Sequence, residues 1–298
     1  MHILITGGTG LIGRAFIRQF QHKYKFTVVT RDPQKALSYF NNANIGAVAL
    51  DSLDNLNDYD AIINLAGEPI ADKRWTNTQK QNICHSRWDI TQQLVSLCEE
   101  SNEPPKVFLS GSAVGFYGRQ DETRIDESYT AVHPEFSHDI CAQWERIAQG
   151  VDKAKTRMCI MRTGVVLSRD GGALSKMYLP FKLGIGGRVS SGTQGFSWIH
   201  IDDMVNAMAF LLEHDTCSGV FNFTAPEPVS NAVFSQTLAK TLHRPCLLPV
   251  PKLSLRILMG ESADLLLYGQ YVLPQALLDA GYTFAFSDVS SALANIYD

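Results

Sequence analysis

The chain has 298 residues, of which 45% are hydrophobic and 19% charged, an ordinary composition for a soluble globular protein of one or two domains. A formal net charge of -4, with no basic run longer than fragments such as Lys153-Ala-Lys-Thr-Arg157, argues against nucleic-acid binding, which needs a clustered basic face. The six cysteines include no C-x-x-C pair, which removes the common zinc spacing and predicts no metal site.

The first residues enter a strand directly, Met1-His-Ile-Leu-Ile5, and carry no pattern of charged region, apolar stretch and cleavage site. No run of about twenty apolar residues follows. Cysteines lie in apolar runs such as Met158-Cys-Ile-Met161 and read as buried small hydrophobes in a reducing compartment. The expectation is therefore a cytoplasmic chain with no membrane partner.

Short, nearly continuous apolar runs recur at Ile3–Ile5, Phe26–Val29, Ala47–Leu50, Ala61–Ile63, Val107–Leu109 and Met158–Met161. Such runs suit strands covered on both faces. Amphipathic stretches separate them, as at Leu11–Phe20 and Gln79–Cys98. The alternation predicts an α/β chain, a Rossmann doubly wound parallel sheet with right-handed crossovers. After Leu167 glycine-rich pieces appear, then helical stretches at 202–213, 231–242, 253–258 and 273–280. They predict a smaller, mainly helical C-terminal substrate lobe. Residues 198–223 read as a strand, helix and strand that return to the first lobe. The predicted division is 1–167 plus 198–223 for the nucleotide-binding domain, and 168–197 plus 224–298 for the substrate lobe.

The first strand runs into Thr6-Gly-Gly-Thr-Gly-Leu-Ile-Gly13. Gly7, Gly10 and Gly13 suit a tight turn that lets backbone approach a pyrophosphate at a helix N-terminus, with Thr9, Leu11 and Ile12 beside them. The second strand ends in Thr30 and Arg31. An NAD site would usually carry a carboxylate there, on the ribose 2′-hydroxyl. An arginine fork suits a 2′-phosphate instead, which predicts NADP(H). Asp32 reads as the cap of a helix that begins at Pro33. Topology adds Asp51 after the third strand, Leu65, Ala66 and Gly67 after the fourth, and Val165 after the sixth, since ligands lie beyond the carboxyl ends of such strands.

These motifs, with Leu109-Ser-Gly-Ser-Ala-Val-Gly-Phe-Tyr-Gly118 and Trp198-Ile-His-Ile-Asp-Asp203, resemble the extended short-chain dehydrogenase/reductases. Gly67-Glu-Pro-Ile-Ala-Asp-Lys-Arg-Trp75, Arg162-Thr-Gly-Val-Val-Leu167 and Gly269-Gln-Tyr-Val-Leu-Pro274 narrow the resemblance to the atypical "epimerase family" of that group. Its members are often labelled sugar-nucleotide epimerase-like and sometimes cell-division-inhibitor-like. The resemblance implies NADP(H) binding, a Rossmann fold with a small substrate lobe, and a place for Arg87 near the cofactor.

Short-chain reductases usually pair a Ser or Thr with Tyr-x-x-x-Lys, whose spacing stacks Tyr and Lys on one helical face. Ser112 matches the serine. At the other two positions Cys141-Ala-Gln-Trp-Glu145 places Cys141 where Tyr is expected and Glu145 where Lys is expected. A carboxylate beside a thiol raises its pKa, and it cannot donate to a ribose hydroxyl. Cys141 and Glu145 are then either a rewired acid/base pair with Ser112 or structural residues. Tyr117 reads as a substrate-side wall. His138 is either a base or a helix polar. His200 reads as a hydrogen bonder between lobes, with Asp202 and Asp203 as caps. Lys176, Lys182, Arg188 and Gln194 fall where related proteins line the substrate cleft, and Trp75 and Trp198 are pocket or core aromatics. These readings predict an oxidoreductase or epimerase-like protein acting on a small carbonyl or sugar-derived substrate, as a monomer or homodimer. The alternative is a non-catalytic NADP(H)-binding sensor or partner-binding protein.

Overall fold

A computed structural model describes residues 1–297. Seven parallel strands form its main sheet: β1 (His2–Thr6), β2 (Lys25–Val29), β3 (Ile45–Val48), β4 (Ala61–Asn64), β5 (Val107–Ala113), β6 (Arg157–Thr163) and β7 (Gly219–Phe223). Their order across the sheet is 7-6-5-4-1-2-3. The order reverses between β1 and β4, so a crevice opens there at the carboxyl ends of the strands. The expected Rossmann sheet is present.

Alternation along the strands divides the core between the two faces. Ile3, Ile5, Ile63, Leu109 and Met161 pack with Phe16 of helix α1 (Leu11–Phe20) and Met204 and Met208 of the helix Ile201–Glu213. Leu4, Ile62, Phe108 and Ile160 point the other way, onto Leu94 and Cys98 of the long helix Asn77–Glu100 and Ala148 of the helix Phe136–Ala148. Nearly continuous apolar runs are what a sheet covered on both faces requires.

A separate hydrophobic cluster lies outside the main sheet. Trp198 and Leu167 pack there with Phe181, Phe234, Leu238 and Leu293. At the end of the segment 198–223, β7 pairs with β6 in the main sheet. The segment's first strand, Trp198–His200, instead pairs with Val165–Leu167 outside the main sheet.

Several boundaries differ from the sequence expectation. Strand β3 stops at Val48, and Asp51 lies in a 3-10 turn, Leu50–Ser52, with its carboxylate accepting from Gln93 at 3.4 Å. The last-but-one helix is only Gln275–Asp279: Pro274 is its N-cap with non-helical backbone, and a proline disfavours the helical region for the residue before it, Leu273. Asp32 caps the helix Pro33–Phe40 as expected, accepting from Lys35 N at 3.1 Å. At the helix Ile201–Glu213 the roles are exchanged. His200 is the cap, accepting from Asp202 N at 3.1 Å. Asp203 is buried and joins distant chain, accepting from Ala285 N at 2.8 Å, Phe286 N at 2.9 Å and the Tyr282 hydroxyl at 3.1 Å.

Candidate functional site

The crevice floor is built where β1 and β4 diverge. Thr6 donates to Asn64 Oδ1 at 2.6 Å and accepts from Leu65 N and Ala66 N at 3.2 and 3.1 Å. Asn64 in turn donates to Thr91 Oγ1 at 2.8 Å, and the same hydroxyl accepts from Trp144 Nε1 at 2.8 Å. These side chains tie both strand ends to two helices. The loops they support touch closely. Gly7 has φ +65°, and a Cβ there would sit 2.6 Å from Leu65 O. A Cβ on Gly13 would sit 2.5 Å from Gly7 O. Both glycines are therefore required by the turn itself.

Helix α1 begins at this turn. Gly10 is its N-cap, no side chain caps it, and no acidic residue lies in its first turn. An uncapped helix N-terminus with glycine on its approach offers backbone N–H groups and a positive dipole end to an anion. A pyrophosphate fits this cradle. Thr9 and Gly10 are exposed, and Leu11, Ile12, Leu65 and Ala66 are half-buried around it.

Arg31 stands exposed just past the end of β2, beside half-buried Thr30, with no carboxylate at the strand end. Its charge reaches Glu68, whose carboxyl is held below the usual range first by Lys73 and also by Arg31. Arg87 lies behind Gly67. Its guanidinium donates to Glu68 O at 3.1 Å and Ile83 O at 3.0 Å, and a Cβ on Gly67 would meet Arg87 Cζ at 2.8 Å. Arg87 thus fixes the loop after β4. Val165 is half-buried in the short strand after β6.

Beyond the fifth strand the helix Phe136–Ala148 presses onto β5. Trp144 sits over Gly111, where a Cβ would come within 2.9 Å of its ring. This contact brings Ser112, Cys141 and Glu145 together. Ser112 Oγ donates to Glu145 Oε1 at 2.7 Å. Arg162 on β6 meets the same carboxylate with two bonds, Nε to Oε1 at 2.9 Å and Nη2 to Oε2 at 2.8 Å. The side chains of Arg162 and Glu145 are 6% and 4% exposed. Burial pulls Arg162 down, but the Glu145 carboxylate holds it above its ordinary value.

The chain of bonds continues. Arg162 Nη1 donates to the Tyr117 hydroxyl at 3.1 Å, and that hydroxyl donates to Asn222 Oδ1 at 2.8 Å. Asn222 N donates to Glu127 Oε1 at 2.7 Å. Arg162 Cζ also lies 3.4 Å from the Phe116 ring centroid. Tyr117 is fully buried and is no substrate-side wall.

Cys141 is buried, and burial together with Glu145 pushes its thiol up to about 11. At neutral pH it is a neutral small hydrophobe. His138 contacts Phe116 O through Nδ1. Trp198 is fully buried, and Trp75 is held by a bond from Nε1 to Ile70 O at 2.9 Å. Lys176 pairs with Asp72, and Gln194 donates to Val189 O and Leu266 O. Lys182 and Arg188 are exposed. Among the described residues no group of three His, Cys, Asp or Glu side chains could hold a metal ion.

Sequence reasoning passed over Arg162, Asn222 and Thr91 as site-building residues. A signal existed for the first two: an arginine inside the run Met158-Cys-Ile-Met-Arg162, and an asparagine between Phe221 and Phe223. Charged or amide groups in buried strands need partners.

The sequence matches the NAD dependent epimerase/dehydratase family over residues 3–223. The chain belongs to that family. Residues 250–296 match a domain of unknown function, DUF1731. An epimerase family protein of Staphylococcus aureus is 38% identical over 98% of both chains. One from Staphylococcus epidermidis is 37% identical over the same shares. Among solved structures, the human epimerase family protein SDR39U1 (isoform 2), solved with NADPH, superposes with a TM-score of 0.92. It is 34% identical, with 100% of this chain and 99% of that one covered. A nucleoside-diphosphate sugar epimerase from Corynebacterium glutamicum gives a TM-score of 0.77 at 29% identity, covering 100% of this chain and 58% of that one. This epimerase-family chain therefore has the family's Rossmann fold, with Ser112, Glu145 and Arg162 bonded together at the carboxyl ends of β5 and β6.

Proposed function

We propose that this epimerase-family chain binds NADP(H) in the crevice between β1 and β4, and that the pocket beside the nicotinamide is built on a fixed ion pair, not on a titrating Tyr–Lys pair. One observation carries the cofactor choice. The end of β2 presents Arg31, exposed and without a strand-end carboxylate, where a 2′-phosphate would be met. The NADPH in the human relative agrees with this choice.

Gly7, Gly10, Gly13 and the start of α1 would hold the pyrophosphate. Arg31 and Thr30 would hold the 2′-phosphate, Asp51 would lie towards the adenine, and Leu65, Ala66, Gly67 and Val165 would line the ribose and nicotinamide. Bound NADP(H) supplies a hydride donor or acceptor at its nicotinamide. The protein's own contribution is positional. Glu145 holds Ser112 and Arg162, and Cys141 keeps water from the base of the pocket.

The test is a titration of NADPH and NADH against the native chain and Arg31→Ala. The native chain should prefer NADPH, and the variant should lose that preference by about tenfold to a hundredfold, the size of one charge-assisted phosphate contact of about 1.5–3 kcal/mol. An unchanged preference in Arg31→Ala defeats the assignment.

A reading as an oxidoreductase or epimerase on a small carbonyl or sugar-derived substrate keeps support from the family and from Ser112. Under that reading Ser112 would help to position the substrate oxygen, since its own proton is engaged in the bond to Glu145. Loss of a measured turnover in Ser112→Ala, with NADPH affinity unchanged, would favour it over a purely binding role.

A further inference from the structure

Among the described residues, eight large hydrophobic residues are at least 60% exposed, and all eight lie between Leu179 and Leu258. Three adjacent segments carry them. Leu179 and Leu183 lie on or just after the helix Gly172–Lys182. Leu247, 83% exposed, and Leu248 follow in an irregular stretch. Leu253 and Ile257, 71% and 67% exposed, stand on the helix Lys252–Met259. The segments are bound side by side. Arg244 Nε donates to Lys182 O at 2.7 Å, Val250 N donates to Arg188 O at 2.8 Å, and Ser190 N donates to Val250 O at 3.0 Å. The helix Lys252–Met259 follows at once and is anchored by buried Leu255 against Val189 and Val250.

The charge on these segments is one-sided. Residues 171–201 and 228–260 contain no Asp or Glu, although the chain has 30 of them, and they hold seven of its 26 Lys and Arg. Lys176 is paired with Asp72 and Arg256 with Asp264. Lys182, Arg188, Arg244 and Lys252 are exposed beside the leucines. The remainder of this acidic protein is correspondingly more negative.

From this juxtaposition we propose that the face formed by residues 179–188, 244–250 and 252–258 docks the protein peripherally on an anionic lipid surface. Leucine and isoleucine side chains enter the acyl boundary, and the lysine and arginine heads reach lipid phosphates. Among the described residues no helix is long and apolar enough to cross a membrane, so the contact lies on the surface. A second copy of the chain fits less well. A two-fold contact through this face would pair it with a copy that likewise carries no carboxylate on these segments, so its cations would meet no opposite charge. A small ligand fits less well too, because side chains this exposed enclose little of a bound molecule.

The test is co-sedimentation of the full chain with phosphatidylcholine vesicles, with and without phosphatidylglycerol, at low and high salt. Sedimentation is expected with the phosphatidylglycerol vesicles alone, and salt should release it. Lys182→Gln/Arg244→Gln should weaken it by about tenfold or more, at roughly fivefold per cation. Leu247→Ser/Leu253→Ser/Ile257→Ser should weaken it as well, with melting temperature and nucleotide binding kept as the check on folding. The proposal is overturned by absence of sedimentation, by equal sedimentation on neutral vesicles, or by indifference to both sets of substitutions. A dimer that the triple variant dissolves, in a chain that ignores vesicles, also overturns it and assigns the face to a second copy.

Discussion

At the residue scale, Glu145 ties the helix Phe136–Ala148 to β5 and β6. It is 3% exposed and is bonded to Ser112 and, through both oxygens, to Arg162. A buried pair of this kind adds little over an apolar pair of the same shape, but breaking it leaves an uncompensated charge. Glu145→Gln should therefore destabilise the protein by about 3–5 kcal/mol in urea unfolding. Glu145→Leu combined with Arg162→Met should cost clearly less than the single change, because neither charge remains. A near-neutral Glu145→Gln would contradict the structural role. Ser112, Cys141 and Glu145 were legible as a set because their spacing places them at the end of β5 and on one helical face. Their partner was not, because Arg162 comes from another strand and spacing along the chain cannot reveal a bond across the sheet. The same limit explains Tyr117. Its turn has the sequence of a cleft wall, but its hydroxyl is bonded to Asn222 and Arg162, which come from other strands.

At the scale of elements, the turn between β1 and α1 concentrates the constraints. Gly7 has positive φ and no room for a Cβ beside Leu65 O. Gly7→Ala should destabilise the chain by about 1–3 kcal/mol through strain and displacement of the loop after β4. It should weaken NADPH binding more than an exposed substitution elsewhere on α1, measured as paired melting and titration curves. Equal affinity in Gly7→Ala would mean the turn does not bear on the ligand. This element was legible almost completely, because glycine spacing, strand and helix all point to one geometry. The caps around residue 200 were less so. His, Asp and Asp in succession can each cap a helix, and only the fold brings Ala285 and Phe286 to Asp203.

At the scale of the whole molecule, burial of thiols sets an alkaline limit. Burial pushes Cys141 up to about 11, and Cys98 and Cys159 up to about 12, from an ordinary 9.0. Each group keeps its proton in the folded state where the unfolded chain would lose it. Their contribution is therefore complete below about pH 9 and is lost as pH rises towards 11 and 12. Melting temperature should stay level to about pH 9 and then fall steeply. Replacing Cys141 with Ala should soften that fall, and an identical profile in the variant would contradict the assignment. Strand runs showed the parallel sheet in the sequence, because a sheet covered on both faces needs continuous apolar segments. The short strands Val165–Leu167 and Trp198–His200 were not distinguishable as a second, separate pair. Their residues look the same as sheet strands, and pairing is decided by where the connecting chain can reach.

The central claim, an NADP(H) crevice closed at its inner end by a fixed ion pair, is tested most directly by a crystal structure with NADPH soaked or co-crystallised. The expected result has the pyrophosphate at the start of α1, the 2′-phosphate within hydrogen-bond distance of Arg31, and Glu145 still bonded to Arg162. A 2′-phosphate remote from Arg31, or a Glu145 carboxylate freed from Arg162 and turned to the nicotinamide, would contradict it.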